Sequence, residues 1–434
     1  MLPVPTRRLA LVAAVASLVV VALPVDRRLL LVDGVLMVVA VVDWVLAPRP
    51  DRVGVRRDLP GVLALGGQGE VVWRLTNPLG RRLRVTLADD LAPSLRAGTR
   101  RVRVRLPARG RAEARTVIRP ARRGRFDLAR VTLRVEGPLG LMARQRRVDC
   151  PGLLRVFPPF RSRDEAELRI NKARILEVGL RSAQGRGGGT EFDQLREYSV
   201  DDEFRRIDWS ATARAGKPIV RTYRAERNQT VILLLDNGRV MAGRVDDVPR
   251  VEHAMDAVMM MTAVATRLGD RCGLVAFDRR VQRVVSPAKS RTQLTRVTEA
   301  MYELEPQLAE SDYAGAFAET LGRFRRRAML VILTDLVEQA VGESLVPALP
   351  LIVRNHLVVV AGVQDPDVVH WAASSPSDSS DAYRKAAAVQ ALEERRRTVA
   401  RLRGLGARVI DAPPGRLAPL LADTYLAVKA TGRL

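Results

Sequence analysis

Thr230-Val-Ile-Leu-Leu-Leu-Asp236-Asn-Gly-Arg-Val240 is an unbroken apolar run closed by a carboxylate, and Leu330-Val-Ile-Leu-Thr334-Asp335 repeats the pattern farther along. Each run is too short for a helix and has no polar alternation, so each reads as a central strand of a parallel sheet, covered on both faces. Ligand sites in such open sheets lie just beyond the carboxyl ends of the strands, where Asp236 and Asp335 stand.

Outward from these runs, strand and helix alternate. Further strands are expected at Cys272–Phe277, Val281–Val285, Leu357–Val363 and Ala407–Ile410. Helices are expected at Arg250–Leu268, Thr292–Leu304, Tyr313–Arg325, Leu345–Arg354, Tyr383–Arg403 and Leu417–Ala430. This order predicts an α/β domain over residues 229–434, its mostly parallel sheet flanked by helices on both faces.

The 434 residues have room for two or three domains. The net charge of +24 is concentrated: residues 51–160 hold 25 Arg, no Lys and nine acids, a net +16. Such a field attracts anionic lipid, nucleic acid or an acidic partner; a solvated Arg-rich β surface is the plainer alternative. Few aromatics are present there for base stacking, so no specific nucleic acid is expected. Two distant cysteines, Cys150 and Cys272, give no disulfide framework. Three histidines without metalloprotease spacing, and no phosphate-loop or nucleophile-elbow motif, argue against an enzyme.

Leu9–Val25 and Leu29–Leu46 are apolar segments of membrane-spanning length joined by Pro24-Val-Asp-Arg-Arg28. They predict a transmembrane helical hairpin over residues 1–50, in contact with the bilayer through residues 9–46. Arginines at 7, 8, 49, 52, 56 and 57 favour both termini and the soluble domains on the cytoplasmic side of the cell membrane. Asp33 and Asp43 read as interfacial acids or as functional intramembrane ones.

Residues 51–160 alternate Val or Leu with Arg, as in Arg101-Val-Arg-Val-Arg-Leu106, and predict a small β-sandwich. A joining segment, 161–228, carries Gly185-Arg-Gly-Gly-Gly189 and then a dense charged stretch. In that stretch Asp193, Arg196, Tyr198, Asp202, Arg206, Asp208, Trp209 and Arg214 suggest a loop stapled by arginine–carboxylate pairs, or else a partner-binding surface.

The order of strand-Asp, long helix, Gly-Leu-Val-x-Phe strand and strand-Thr-Asp resembles the von Willebrand factor A fold, whose metal-ion-dependent adhesion site tops the sheet. The resemblance implies a Mg²⁺ site at Asp236, Ser311 and Asp335. Gly238 and Val240 stand where that site has two hydroxyls, so metal binding is expected to be weakened. The other reading makes both aspartates caps for nearby backbone amides.

The whole chain also resembles the bacterial family of domain of unknown function 58, which combines a membrane hairpin, a β-domain and a von Willebrand A-like domain. The carriers are Arg122-Arg-Gly-Arg-Phe126, Gly137-Pro-Leu-Gly-Leu141, Leu154-Arg-Val-Phe-Pro158, Phe192-Asp-Gln-Leu-Arg196-Glu-Tyr198 and Arg206-Ile-Asp208-Trp209 with Ala213-Arg214. Asp201-Asp202 departs from the family's usual Gly-Asp. The resemblance implies a non-enzymatic, membrane-anchored adaptor or scaffold that partners a MoxR-type AAA+ ATPase in the assembly or maturation of protein complexes. An enzyme acting on envelope substrates, or an Arg-rich protein binding anionic lipid or nucleic acid, is the alternative.

Overall fold

The computed structural model describes residues 2–21, 28–183, 191–200, 202–224, 229–337, 339 and 341–431. The chain divides into two compact units, Met1–Phe157 and Pro158–Leu434. The expected hairpin and β-domain thus fall in one unit, and the joining segment falls with the large sheet.

The first unit is built on two sheets. One carries β1 (Leu2–Pro5), β3 (Val62–Ala64), β5 (Leu83–Asp89), β6 (Arg101–Leu106), β8 (Gly124–Glu136) and β9 (Met142–Phe157) in the order β1-β9-β8-β5-β6, with β3 also on β9. The other is β2 (Gly54–Asp58), β4 (Gly69–Thr76) and β7 (Arg111–Ile118). Alternation sends Val71, Trp73 and Leu75 from one sheet and Val85, Leu87, Leu133 and Val135 from the other into a shared core. Within it Asp89 accepts hydrogen bonds from Arg57 Nη1 at 2.5 Å and Trp73 Nε1 at 2.6 Å. One arginine of the Arg-rich domain is therefore a core residue.

Two helices belong to this unit, α1 (Arg7–Val21) and α2 (Arg28–Leu46). Among the described residues no helix is long and apolar enough to cross a membrane. The described residues therefore do not show the expected pair of spans. The 15 described residues of α1 account for about 22 Å of a core about 30 Å thick. The last turn of α2 is docked on protein through Asp43. Most of the turn expected at 24–28 lies outside the described residues. The hairpin's outer ends do meet. Thr6 N–H donates to Leu141 O, and Asp43 accepts from the amides of Leu139, Leu141 and Met142, all at 2.8 Å. Gly137 is required at this joint, because a Cβ there would collide with the Asp43 carboxylate.

In the second unit α3 (Arg163–Ala183), which charge and Gly content concealed, leads to an antiparallel ribbon of β10 (Glu191–Glu197) and β11 (Ile219–Arg224), with α4 (Trp209–Ala215) between them. The glycine run 185–189 lies outside the described residues. Strands β12 (Thr230–Asp236), β15 (Arg271–Phe277), β16 (Val281–Ala288), β17 (Met329–Leu333), β18 (Leu357–Val363) and β19 (Arg408–Ala412) form one sheet, ordered β16-β15-β12-β17-β18-β19. All pairs are parallel except β15–β16. A small hairpin, β13 (Arg244–Val245) with β14 (Val248–Pro249), precedes the helix that opens at Arg250.

Odd positions of β12 pack with the helices α6 (Arg250–Arg267) and Leu417–Ala430 on one face. Even positions pack with α8 (Tyr313–Arg323) and the helix Ser379–Gly404 on the other. Further helices are α5 (Arg239–Ala242) and α7 (Gln293–Met301). Pro347 and Pro350 divide the helix expected at 345–354 into short turns, each proline near a helix start where no amide donor is needed. The architecture is mixed α/β, with the ends of β12 and β17 side by side at the centre of the sheet.

Candidate functional site

The end of β12 places Asp236 with no accessible surface. Ser311 Oγ and the Gly238 amide donate to its Oδ1 at 2.5 and 2.8 Å. The Tyr313 and Thr334 hydroxyls donate to Oδ2 at 2.7 and 2.6 Å. Four donors thus use the lone pairs that a cation would need. Burial, and then the negative field of Asp236, push the Tyr313 phenol well above its ordinary range, so it stays a donor. The structure brings Ser311 to Asp236, as the sequence implied, and Gly238 admits it: a Cβ there would collide with Ser311 Oγ.

Asp335, one residue beyond Thr334, is also buried but has different company. Arg395 Nη1 donates to its Oδ1 at 2.8 Å, and the Leu336 amide to the same oxygen at 2.9 Å. Arg250 Nε lies 3.2 Å from Oδ2, within ion-pair distance but without the alignment of a hydrogen bond. Arg395 is bidentate to Asp411, both contacts at 2.8 Å, and reaches Val363 O at 3.0 Å. Burial opposes the charge of Arg395, but Asp411 and Asp335 together raise its pKa above the ordinary guanidinium value.

Mg²⁺ requires near-octahedral oxygen ligation. One carboxylate here is saturated by protein hydroxyls and an amide, and the other is neutralised by two guanidinium groups, so the residues present do not fit the ion. Among the described residues no group of three His, Cys, Asp or Glu side chains is placed to hold a metal. Val240 lies in α5 and supplies only an alkyl side chain.

The charged motif builds a different site on the β10–β11 ribbon. Asp208 caps α4, its Oδ1 accepting from the amides of Ser210 and Ala211 at 3.0 and 3.1 Å. Its Oδ2 accepts from Arg221 Nε at 2.6 Å, and this bond above all holds its pKa below the usual carboxylate range. Arg196 pairs with Asp202, which also accepts from the Ser199 amide at 2.9 Å. Arg206 pairs with Glu203 at 3.2 Å, Arg214 donates to Ser210 O, and the Tyr198 amide bonds Pro218 O. Asp193 lies at a bulge in β10, and its side chain is outside the described residues.

This clamp holds two aromatics out in solvent. Phe204 is 67 % exposed and Trp209 61 %, their rings edge to face at 5.7 Å. Val200 and Leu195 are exposed beside them in sequence. The motif is thus a stapled loop and also an apolar surface, so the two readings do not exclude each other.

Residues 194–371 match the family model described as protein of unknown function DUF58. An uncharacterized protein of Mycobacterium bovis is 29% identical over 182 residues, which is 42% of this chain and 56% of the relative. Uncharacterized proteins of Mycobacterium tuberculosis match to the same extent, so the matched region spans little more than half the length of these relatives. Among solved structures, the CARDB domain of a Pyrococcus furiosus protein aligns over 24% of this chain and 94% of its own length, at 13% identity and a TM-score of 0.17. The N-terminal domains of a Porphyromonas gingivalis type V pilus tip protein align over 35% of this chain and 28% of theirs, at 13% identity and a TM-score of 0.24. Neither likeness carries an argument about fold or function.

The sequence pattern includes Thr334 but assigns it no role, and it does not single out Tyr313, Arg250, Arg395 or Asp411. Tyr313 and Thr334 adjoin the residues it singled out, but nothing local marks them as donors to Asp236. Arg395 is one of three successive arginines in Glu393-Glu394-Arg395-Arg396-Arg397, and only the packing of its helix turns that one inward.

Proposed function

We propose that the protein is a membrane-anchored, non-enzymatic adaptor with a von Willebrand factor A-like second unit. It docks a protein partner through the β10–α4–β11 module. The exposed Phe204–Trp209 pair carries this reading. Large aromatics held rigidly in solvent lose little conformational entropy when a partner covers them, and Trp is enriched among residues that dominate binding energy. The pair lies within the segment that matches the family model, and the family resemblance supplies the partner class, a MoxR-type AAA+ ATPase. Docking over Asp236 and Asp335 is less favoured, because both carboxylates are internally satisfied.

The anchoring half of the proposal rests on apolar surface rather than on helix length. Leu11, Val15 and Leu18 of α1 and Val35, Met37, Val38 and Val45 of α2 are all exposed, a run of apolar side chains that water does not tolerate over two helices. Residues 9–46 then meet the bilayer, with both termini on the cytoplasmic side.

The test is affinity capture of tagged full-length protein from its native membranes, with Mg²⁺ and with chelator, followed by mass spectrometry. Wild type is expected to retain an AAA+ ATPase in both conditions, and the F204A/W209A variant to lose it. An ATPase held only with Mg²⁺ would return the docking site to Asp236 and Asp335. No ATPase in either condition would refute the adaptor reading.

A further inference from the structure

We infer that the joint between α2 and the β8–β9 turn is a binding surface for anionic phospholipid headgroups. This inference rests on the anchoring half of the reading above and adds a ligand, a surface and its residues.

The joint gathers cations from three separate parts of the chain around the ends of two apolar helices. Arg7 and Arg8 open α1 directly after Thr6, whose hydroxyl donates to Gly140 O at 2.6 Å. Arg49 follows the end of α2. Arg81 and Arg82 come from the turn between β4 and β5, and Arg81 Nη2 reaches back to Leu46 O at 2.8 Å. From β9, Arg144 donates to the carbonyls of Trp44 and Val45 at 3.0 and 3.1 Å and lies 5.2 Å over the Trp44 ring. The arginines that touch α2 thus bind its terminal carbonyls, the negative end of the helix dipole.

Others at the joint are left without counter-charge. Among the described residues Arg7, Arg8, Arg49 and Arg82 are exposed and make no ion pair. The nearby acids are already occupied: Asp43 by three amides, Asp51 by Arg146, Glu136 by Arg84 and Arg103. Leu139, at the tip of the turn, is 55 % exposed.

An apolar helix pair ending beside exposed arginines that make no ion pair, with an exposed leucine at the turn it docks on, matches an interface: acyl chains on one side, phosphates at the arginines. Nucleic acid would meet the same charge, but it offers nothing to cover the apolar helices or Leu139. The surface does not depend on a full crossing. It needs only that the exposed faces of α1 and α2 enter lipid.

The test uses the full chain carrying L139C, reconstituted in nanodiscs of phosphatidylcholine alone or with phosphatidylglycerol, and labelled with a membrane-impermeant maleimide. The native thiols are buried, so background labelling is low. Labelling is expected to be about tenfold slower in the anionic discs, with the difference abolished by R7E/R49E/R82E. These residues make no ion pair whose loss would unfold the protein. Q68C reports from the opposite end of the sandwich, beside the Gly66–Pro120 hydrogen bond, and should label equally in both discs.

Equal rates for L139C in the two discs, or protection that survives the triple variant, would overturn the headgroup assignment while leaving the anchor standing. Failure of the chain to enter either disc would remove the anchor and the assignment together. Protection by a DNA duplex without lipid, and none in anionic discs, would overturn it in favour of nucleic acid.

Discussion

Nη1 of Arg395 lies 2.8 Å from Oδ1 of Asp335, although the residues are 60 positions apart in sequence. A guanidinium thus stands beside the carboxylate that the fold resemblance gave to a metal. The same guanidinium ties the end of β17 to Asp411 on β19, across the strand between them. Removing the guanidinium leaves Asp411 without its bidentate partner and Asp335 with Arg250 alone. Arg395→Met is therefore expected to cost about 3–5 kcal/mol, roughly 10 °C in the melting of the full chain. Arg395→Lys should rescue little, since one ammonium cannot reach Asp335, Asp411 and Val363 O together. A melting midpoint within a degree or two of wild type would show the pair to be dispensable.

Gly238 supplies the second prediction. Restoring the missing hydroxyl with Gly238→Ser should not create a metal site. Its Cβ would displace Ser311 from Asp236, at a cost of about 1–3 kcal/mol. Melting curves of wild type and variant in Mg²⁺ or chelator should superimpose for each protein. A Mg²⁺-dependent rise in either would show that the hydroxyl network yields to the ion.

Asp43→Asn supplies the third. The three amides of Leu139, Leu141 and Met142 lose a charged acceptor, and whichever way the side-chain amide turns, its NH₂ faces either the Leu139 amide or those of Leu141 and Met142 and leaves them without one. Hydrogen exchange of these amides should rise by at least about tenfold, each bond to a charged group being worth about 1.5–3 kcal/mol. Exchange in the β4–β7 sheet should not change. An unaltered rate at the turn would assign the joint's strength to Thr6 and Arg144 instead.

His253 supplies a pH dependence. It is buried in α6, its Nε2 makes no hydrogen bond, and burial lowers its pKa, with Arg161 and Arg250 acting in the same direction. The unfolded chain therefore takes up this proton first. The stability contribution is complete above the ordinary histidine value of about 6.5 and declines as pH falls below it. Asp256, raised by burial, works in the opposite sense: its contribution is lost as pH rises through the carboxylate range. His253→Gln should flatten the melting temperature between about pH 5 and 7 while leaving the lower-pH slope. Parallel curves for variant and wild type would remove His253 as the cause.

The large sheet was legible because its strands are buried on both faces. Val231–Leu235 and Leu330–Leu333 carry no polar residue, and in the structure they pair in register as Val231↔Met329 through Leu235↔Leu333. The ribbon and α3 were not legible. Their hydrophobic content is low, and residues such as Phe204 and Trp209 face water, so no periodicity announces a buried face. The site was legible only in part. Asp236 and Ser311 meet as their positions implied, but the counter-ions of Asp335 come from α6 and the helix Ser379–Gly404, and no local pattern selects Arg250 or Arg395 from their neighbours. Asp43 stands out in the sequence as an acid within an apolar run. Its partners lie 96 to 99 residues away, a separation that the sequence does not encode locally.

The joint at Asp43 also gears the helix to the sandwich. Successive helical residues point about 100° apart, so turning α2 by even one residue would swing its carboxylate off all three amides and withdraw Trp44, Val45 and Leu46 from Arg144 and Arg81. Slippage is blocked, and α2 behaves as a crankshaft keyed to the β-domain. A torque applied to the sandwich would be delivered to α2 as rotation about its own axis.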